Sequence, residues 1–326
     1  MAIIADKNLT LLDRAKFFGE NGEALAIAEV LTQTNEILQD MPVVESNMDS
    51  GHLYAARTGI PEGTWRRAYE GVAQDKSTVK QVTESYGTLA IYSVVDKLIA
   101  EKGGKLEDVR FGQAKGILQG LSNQMAEGLF YGNVGKNPER FTGFFSRYNT
   151  LSTSEAESAK YVISAGGSSN LSSIALIVWD SDKNYGFYPK GTKAGIERQD
   201  KGLEINYTDA LGKKYPAYID YFEWKLGLAV QDYRYAGRIC NIDTTNITSA
   251  LLDKMMDLEE RIEALNVGKP VWYMNRTVKA EVRKLLSKKN NVFYTPAQPN
   301  ARPVMMFDEI PVHVCDAIKN NEDKVS

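Results

Sequence analysis

The chain has 326 residues, of which 43% are hydrophobic and 25% charged, a composition that predicts a folded protein and argues against disorder. Its net charge of −3 argues against a polybasic surface covering the chain and favours protein partners. No apolar run reaches the roughly 18 residues of a membrane span, and no signal peptide is recognisable at the start. The two cysteines, Cys240 and Cys315, are too few for a disulfide framework and are expected to be buried thiols.

The first segment, residues 1–45, is predicted to be an arm. Its apolar residues lead into a helical stretch that ends at Met41-Pro42. Because these residues are too few to close a core by themselves, we expect the arm to pack on something else.

The next segment, 46–90, is polar, punctuated by glycine and strand-like. The sequences GHLYAART and GTWRRAYEGV flank Gly59–Gly63, where we expect a hairpin turn. An isolated hairpin is unstable in water, so this ribbon is expected to rest on a neighbour.

A basic and aromatic cluster lies in this ribbon. Its members are Arg57, Trp65, Arg66 and Arg67. Tryptophan and arginine are enriched at protein interface hot spots, and Glu62 and Glu70 flank the cluster, so a protein contact is favoured over a nucleic-acid contact.

Apolar residues recur at steps of three and four between 105 and 132, which predicts a helix about 40 Å long. Its glycines lie at multiples of four residues: Gly112, Gly116, Gly120 and Gly128. Each costs about 0.8–1 kcal/mol relative to alanine in a helix interior. Either they are merely tolerated, or they form a close-packing face against which another backbone lies.

The segment 161–244 is predicted to be mostly β. Ile174–Trp179 is an apolar strand, and Tyr218–Val230 is an aromatic strand with apolar residues on alternate positions. The polar residues that follow it, Asp232, Arg234 and Arg238, are expected to form ion pairs.

The last part of the chain is predicted to alternate helices and strands. A helix over 246–268 ends before Gly268 and Pro270, and the strand VWYMN follows. Asn275 is the expected N-cap of the next helix. Alternating apolar residues predict a final strand around Ile310–Val314.

The motifs of common catalytic and binding sites are incomplete. His52 and His313 have no nucleophile pattern nearby, and the glycines around Lys136 have the wrong spacing for a phosphate loop. The residues after Asp180 depart from a calcium loop in the positions of the glycine and the final glutamate. We therefore predict no catalytic residue, no cofactor and no metal site.

The segments SGHLYAARTGIPEGTWRRAYEGV, VKQVTESYGTLAIYSVVDKLIAE, LEDVRFGQAKGILQGLSNQMAEGLFYGN, WKLGLAVQDYRYAGRICNID and VWYMNRTVKAEVRKLL occur in this order. With this order of parts, the whole chain resembles the major capsid proteins of tailed bacteriophages, which have the α+β Hong Kong 97-type fold. It looks most like the short-tailed group that includes Epsilon15.

The resemblance implies a role for each segment. These are an N-terminal arm (1–45), an extended loop (46–90), a peripheral domain (91–160, with a spine helix at 105–132, and 245–326) and an axial domain (161–244). Asp232, Arg234 and Arg238 would then form interdomain ion pairs.

The resemblance also implies partners. They are copies of the chain in pentamers and hexamers, a separate scaffolding protein, a portal, a possible decoration protein and non-specifically held DNA, in a virion assembled in a bacterial cytoplasm. The alternatives are another virion component, such as a decoration or connector protein, and a small-molecule transferase built on 161–326.

Overall fold

The structure, a computed structural model, describes residues 35–59, 61–102, 106–208, 211–288 and 305–326, without the side chains of 57–59 and 288. In this part of the chain the α-helices are α1 (Ile37–Asp40), α2 (Lys97–Glu101), α3 (Leu106–Tyr131), α4 (Phe144–Arg147), α5 (Ala250–Arg261) and α6 (Arg276–Lys288).

The strands up to residue 188 are β1 (Val43–Glu45), β2 (His52–Gly59), β3 (Thr78–Glu84), β4 (Tyr86–Asp96), β5 (Val162–Ser164), β6 (Leu171–Trp179) and β7 (Asn184–Tyr188). The later strands are β8 (Ile196–Thr208), β9 (Lys214–Val230), β10 (Ala236–Asp243), β11 (Lys269–Met274), β12 (Met306–Phe307) and β13 (Ile310–Val314).

The described chain divides into two compact units. The first unit contains 88–102, 106–125, 195–208 and 211–225, and the second contains the remaining described residues. The segment predicted as one axial domain, 161–244, is therefore shared between the two units.

The first unit is built around the long strand β9 and the N-terminal part of α3. The buried residues Ala114, Leu121 and Phe222 form its central cluster. β8 pairs antiparallel with β9 from Ile196 opposite Trp224 to Thr208 opposite Lys214. The β8–β9 register shifts twice, after Asp200 and after Glu204.

The second unit contains a six-stranded sheet with the order β12-β13-β11-β6-β10-β5. β6 is buried at every position, as expected for a strand covered on both faces of its sheet. It pairs antiparallel with β10 and β11, and α6 connects β11 to its parallel neighbour β13.

Several predicted elements are confirmed. The helix expected over 105–132 is α3, and the apolar strand expected over Ile174–Trp179 is the second half of β6. Asn275 caps α6, because its Oδ1 accepts a hydrogen bond from the backbone N–H of Val278 at 2.8 Å.

Two local predictions are wrong. β2 pairs with β3, from His52 opposite Glu84 to Gly59 opposite Thr78, so residues 61–77 belong to the loop between them and Gly59–Gly63 is not a tight turn. The helix expected over 246–268 is the shorter α5, which ends at Arg261 because the backbone of Ile262 is extended. The predicted arm helix lies mostly in 1–34, outside the described residues.

Candidate intersubunit surfaces

The β2–β3 loop, residues 61–77, carries exposed aromatic side chains. Trp65 and Tyr69 are fully exposed, and Val72 is more than half exposed. The bonds within the loop are local and polar: the backbone N–H of Arg67 donates to Glu70 Oε2 at 2.9 Å, and that of Glu62 donates to Asp75 Oδ2 at 2.9 Å. The loop therefore presents large apolar groups without packing them on its own chain.

The basic and aromatic cluster predicted in the ribbon is brought together only in part. Trp65, Arg66 and Arg67 lie in the loop, where Arg66 Nη1 donates to the carbonyl oxygen of Glu70 at 3.2 Å. The backbone of Arg57 lies in β2 opposite Val79, but its side chain is outside the described residues. The predicted intersubunit contact of these four residues stays a prediction.

The base of the same hairpin is fixed by buried polar groups. Glu84, at the end of β3, accepts two hydrogen bonds of 2.7 Å from Arg147 of α4. Tyr54 of β2 donates to Glu84 Oε1 at 3.0 Å and to the carbonyl oxygen of Val230 at 2.9 Å. We call Tyr54, Glu84 and Arg147 the base cluster, and no local pattern in the sequence predicts it.

The electrostatics of the base cluster follow from its burial. Burial alone would lower the pKa of Arg147, but its hydrogen bonds to Glu84 and the charge of that carboxylate raise this pKa. Beside them, burial lowers the pKa of His52 against the opposing charge of Glu84. His52 Nε2 lies 2.9 Å from the hydroxyl of Tyr185, while its buried Nδ1 has no hydrogen-bond partner among the residues that the structure describes.

The glycines of α3 have two different surroundings. A Cβ at Gly116 or Gly120 would meet no atom of the described chain within 4 Å, whereas one at Gly128 would lie 3.6 Å from the ring of Phe141. Gly112 lies in the same helix and is half-buried. The close-packing face stays a prediction, and at Gly116 and Gly120 no described residue of the chain occupies it.

Exposed apolar side chains accompany the open glycines on α3. Phe111 is 63% exposed, and Leu118 is also exposed. The exposed part of this helix therefore combines accessible backbone with apolar groups.

The residues predicted to form interdomain ion pairs all pair inside the second unit. Arg234 Nη2 lies 2.8 Å from Asp232 Oδ2, and Arg234 Nη1 lies 3.4 Å from Glu263 Oε1. Arg238 Nη2 donates to Glu322 Oε2 at 2.8 Å, with both side chains almost fully buried. Their predicted role between an axial and a peripheral domain stays a prediction.

The candidate reactive groups are held in structural surroundings. Cys240 and Cys315 are free and buried, as predicted, and burial raises their pKa values to about 11 and about 12. His313 Nδ1 lies 2.6 Å from Asp40 Oδ2. Among the described residues, His, Cys, Asp and Glu form no group of three or more that could hold a metal ion. None of the described helices is long and apolar enough to cross a membrane.

Comparisons with known proteins agree on one family. Residues 19–326 match the family model of the major capsid protein GP7. A solved chain of bacteriophage Epsilon15 is 30% identical, with a TM-score of 0.74, and the match covers 100% of this chain and 99% of that one. A search of curated proteins finds no match.

More distant solved structures share the fold alone. The capsid of bacteriophage JBD30 is 13% identical with a TM-score of 0.53, over 97% of this chain and 99% of that one. The JBD30 capsid decorated with minor capsid protein trimers is 11% identical with a TM-score of 0.50, and the match covers 93% of this chain and 95% of that one.

Proposed function

Because the chain belongs to the GP7 family of major capsid proteins, we propose that its copies assemble as pentamers and hexamers into an icosahedral shell around double-stranded DNA. The protein is a structural coat protein of a tailed bacteriophage, with the α+β Hong Kong 97-type fold. The observation that carries the assembly proposal is the β2–β3 loop, which exposes Trp65 and Tyr69 completely.

An exposed aromatic residue loses the stabilisation that burial would give it. Burying a large apolar side chain is worth about 1.5–3 kcal/mol, and tryptophan and tyrosine are enriched among the residues that dominate binding energy. A copy that covers Trp65 and Tyr69 would recover this stabilisation. Arg57, Arg66 and Arg67 are proposed to pair at the rim of the same contact.

The open side of α3 is proposed as a second contact between copies. Without a Cβ at Gly116 or Gly120, the backbone of another chain can approach the helix closely, and Phe111 and Leu118 supply apolar area beside it. This contact would offset the helix-propensity cost of the glycines. Gly112 is proposed to continue the same face.

The segment roles are proposed as the family fold suggests. Residues 46–90 act as the extended loop, 161–244 as the axial region and 1–45 as the arm. The described end of the arm supports this assignment, because β1 pairs in parallel with β7 from Val43 opposite Gly186 to Glu45 opposite Tyr188.

Further partners belong to the proposal. They are a separate scaffolding protein, a portal and a decoration protein, with assembly in the host cytoplasm and residence in the virion. The JBD30 capsid decorated with trimers supports the idea that shells of this fold can carry such an outer protein.

We propose that the protein has no enzymatic activity. A polar cavity of about 530 Å³ is lined by Arg238, Glu322 and Lys319 among others. These groups already pair, Arg238 with Glu322 and Lys319 with Glu127 at 2.7 Å. The cavity therefore presents charged groups engaged in the fold instead of an activated nucleophile.

The assembly proposal can be tested by replacing the loop. A variant in which a short Gly-Ser turn joins β2 to β3 in place of residues 61–77 keeps the base cluster and should stay folded. We expect it to remain as subunits or capsomers, while the unaltered chain forms shells in negative-stain electron microscopy and sedimentation.

A Gly-Ser linker of the same length is the matched control. This linker restores the length of the loop without the side chains of the loop. If Trp65 and Tyr69 make the contact, the linker variant should also fail to form shells. Shells of normal size from the shortened variant would contradict the proposed role of the loop.

A further inference from the structure

Helix α6 is strongly basic in a chain whose net charge is −3. It carries one acidic residue, Glu281, and the basic residues Arg276, Lys279, Arg283, Lys284 and Lys288. The helix therefore has a formal charge of five positive minus one negative, or +4, and concentrates positive charge on one short element.

The charge lies on the outward side of the helix. Val278 and Val282 are completely buried and face the second unit. The exposed residues among those described are Arg276, Thr277, Ala280, Arg283, Lys284 and Ser287. We call these six residues the basic face. It contains arginine, lysine, hydroxyl groups and alanine and no large apolar side chain, and the partly exposed carboxylate of Glu281 lies beside it.

Two basic residues of this face form ion pairs that stay exposed. Arg276 pairs with Asp316 at 2.9 Å and Lys284 with Glu281 at 2.5 Å, but the two basic side chains stay 67% and 63% exposed. Exposed ion pairs of this kind contribute little to stability. Lys279 differs, because its Nζ donates to the carbonyl oxygen of Val312 at 2.7 Å. Arg276, Arg283 and Lys284 are the exposed basic side chains of this face, and their exposure makes them accessible to a partner.

Helix α5 of the same unit provides a contrast. Its exposed residues include Asp253, Asp257 and Glu260. The positive charge of α6 is therefore not a general property of the helices in this unit.

We propose that the basic face of α6 binds the sugar–phosphate backbone of double-stranded DNA without sequence preference. Arginine, lysine, serine and threonine are the side chains that contact phosphate groups. An acidic protein fits less well, because protein interfaces are depleted in lysine and depend on aromatic or apolar anchors that this face lacks. The inference rests on the proposed shell. The basic face of each copy would line the interior of that shell with a few positive groups.

Salt-dependent binding tests this proposal. The full-length subunit is titrated into a short fluorescein-labelled duplex, with fluorescence anisotropy as the readout, between about 50 and 200 mM NaCl. In the double variant Arg283→Gln and Lys284→Gln, the slope of log K against log salt should fall by about 1.8, since each lost phosphate contact contributes about 0.9.

Two controls separate this site from net charge and from misfolding. The double variant Lys190→Gln and Lys193→Gln removes the same charge from an exposed turn of the same unit and should keep the original slope. The conservative variant Arg283→Lys should also keep it. Circular dichroism melts establish that each variant is folded.

The outcomes distinguish the inference from the proposed function. An unchanged slope in the α6 double variant, or equal losses in both double variants, would overturn the DNA contact even if shells form normally. Loss of binding to labelled poly-glutamate with unchanged DNA binding would identify an acidic protein as the partner instead. Failure of the unaltered chain to form shells would count against the proposed function, whatever the DNA result.

Discussion

The two ends of the β2–β3 hairpin differ in what stabilises them. At the base, Glu84 and Arg147 form a doubly hydrogen-bonded ion pair and Tyr54 donates to the same carboxylate. At the tip, Trp65 and Tyr69 are fully exposed. The chain supplies the interactions that fix where the hairpin begins, whereas the described residues do not bury the two aromatic rings at its tip.

The glycines near the end of α3 repeat this contrast. At Gly132, just after the helix, a Cβ would lie 2.3 Å from the carbonyl oxygen of Phe141, so the chain itself occupies that space. At Gly120 no described residue lies within 4 Å of the corresponding position. Of two glycines on one stretch of chain, one thus serves packing within the chain, and the other has no such contact among the described residues.

The largest expected effect is at the base of the hairpin. Arg147→Met should destabilise the subunit by about 3–5 kcal/mol, because it leaves Glu84 buried without its cation. Urea unfolding of the isolated subunit measures this change. Arg140→Met, at an exposed arginine a few residues away, is the matched control and should change stability by less than about 0.5 kcal/mol. Equal small losses in both variants would show that the base cluster does not hold the hairpin.

Substituting alanine at Gly132 and at Gly120 should change the stability of the subunit in opposite directions. Gly132→Ala should destabilise the subunit by about 1–3 kcal/mol through overpacking. Gly120→Ala should stabilise the isolated subunit by up to about 1 kcal/mol, because alanine favours the helix and its Cβ meets nothing. Thermal unfolding measures both changes.

The same pair of variants tests the close-packing face. If another backbone packs at Gly120, the yield of shells from Gly120→Ala should fall although its subunit is more stable. Shell yield that rises together with subunit stability would mean that the glycine is only tolerated.

The base of the hairpin should also respond to acid. The pKa of His52 lies below its ordinary value of 6.5, mainly because the ring is buried, so the unfolded chain takes up this proton at a higher pH than the folded chain. The stability that His52 contributes is present above about pH 6.5 and is lost as the pH falls below it. Amide protection factors of β2 and β3 should therefore decrease on acidification.

His52→Gln provides the comparison for this pH dependence. Glutamine does not titrate, so the loss of protection between about pH 7 and pH 5 should shrink in the variant. The groups that face His52 are Tyr185, Phe187 and Glu84. An identical pH dependence in the variant would assign the effect to another titrating group.

The smallest effect on the subunit is expected at the tip. Trp65→Ala should change its unfolding free energy by less than about 0.5 kcal/mol, because the ring is fully exposed. Its effect should be seen in assembly, measured as the fraction of protein that sediments as shells. A clear loss of subunit stability would show that the tip packs on its own chain in solution.

Local patterns in the sequence predicted the elements whose periodicity decides their structure. The apolar spacing of α3, the continuous apolar run of β6 and the cap at Asn275 all depend on neighbours within a few residues. The same dependence on near neighbours explains why the predicted hairpin turn is wrong. The glycines around residue 60 indicate a tight turn, but the strand that pairs with β2 is β3, which lies beyond a long loop.

Long-range polar pairs could not be predicted in this way. Glu84 and Arg147 are 63 residues apart, and Arg238 and Glu322 are 84 apart. One sequence does not indicate which of many charged residues will meet across such distances. The sequence does predict that Arg238 forms an ion pair, because a guanidinium beside a buried strand requires a partner. It does not indicate which carboxylate is that partner.

The two register shifts of β8 have a consequence for a protein made in many copies. Among the described residues β8 pairs only with β9, and a strand edge without a partner can join to an identical edge in a growing fibre. The shifts after Asp200 and Glu204 interrupt the regular line of amide and carbonyl groups along that edge. Charged side chains between them, such as Lys201, add repulsion between identical strands. Newly made subunits can thus accumulate at high concentration while this strand resists the aggregation that would compete with ordered assembly.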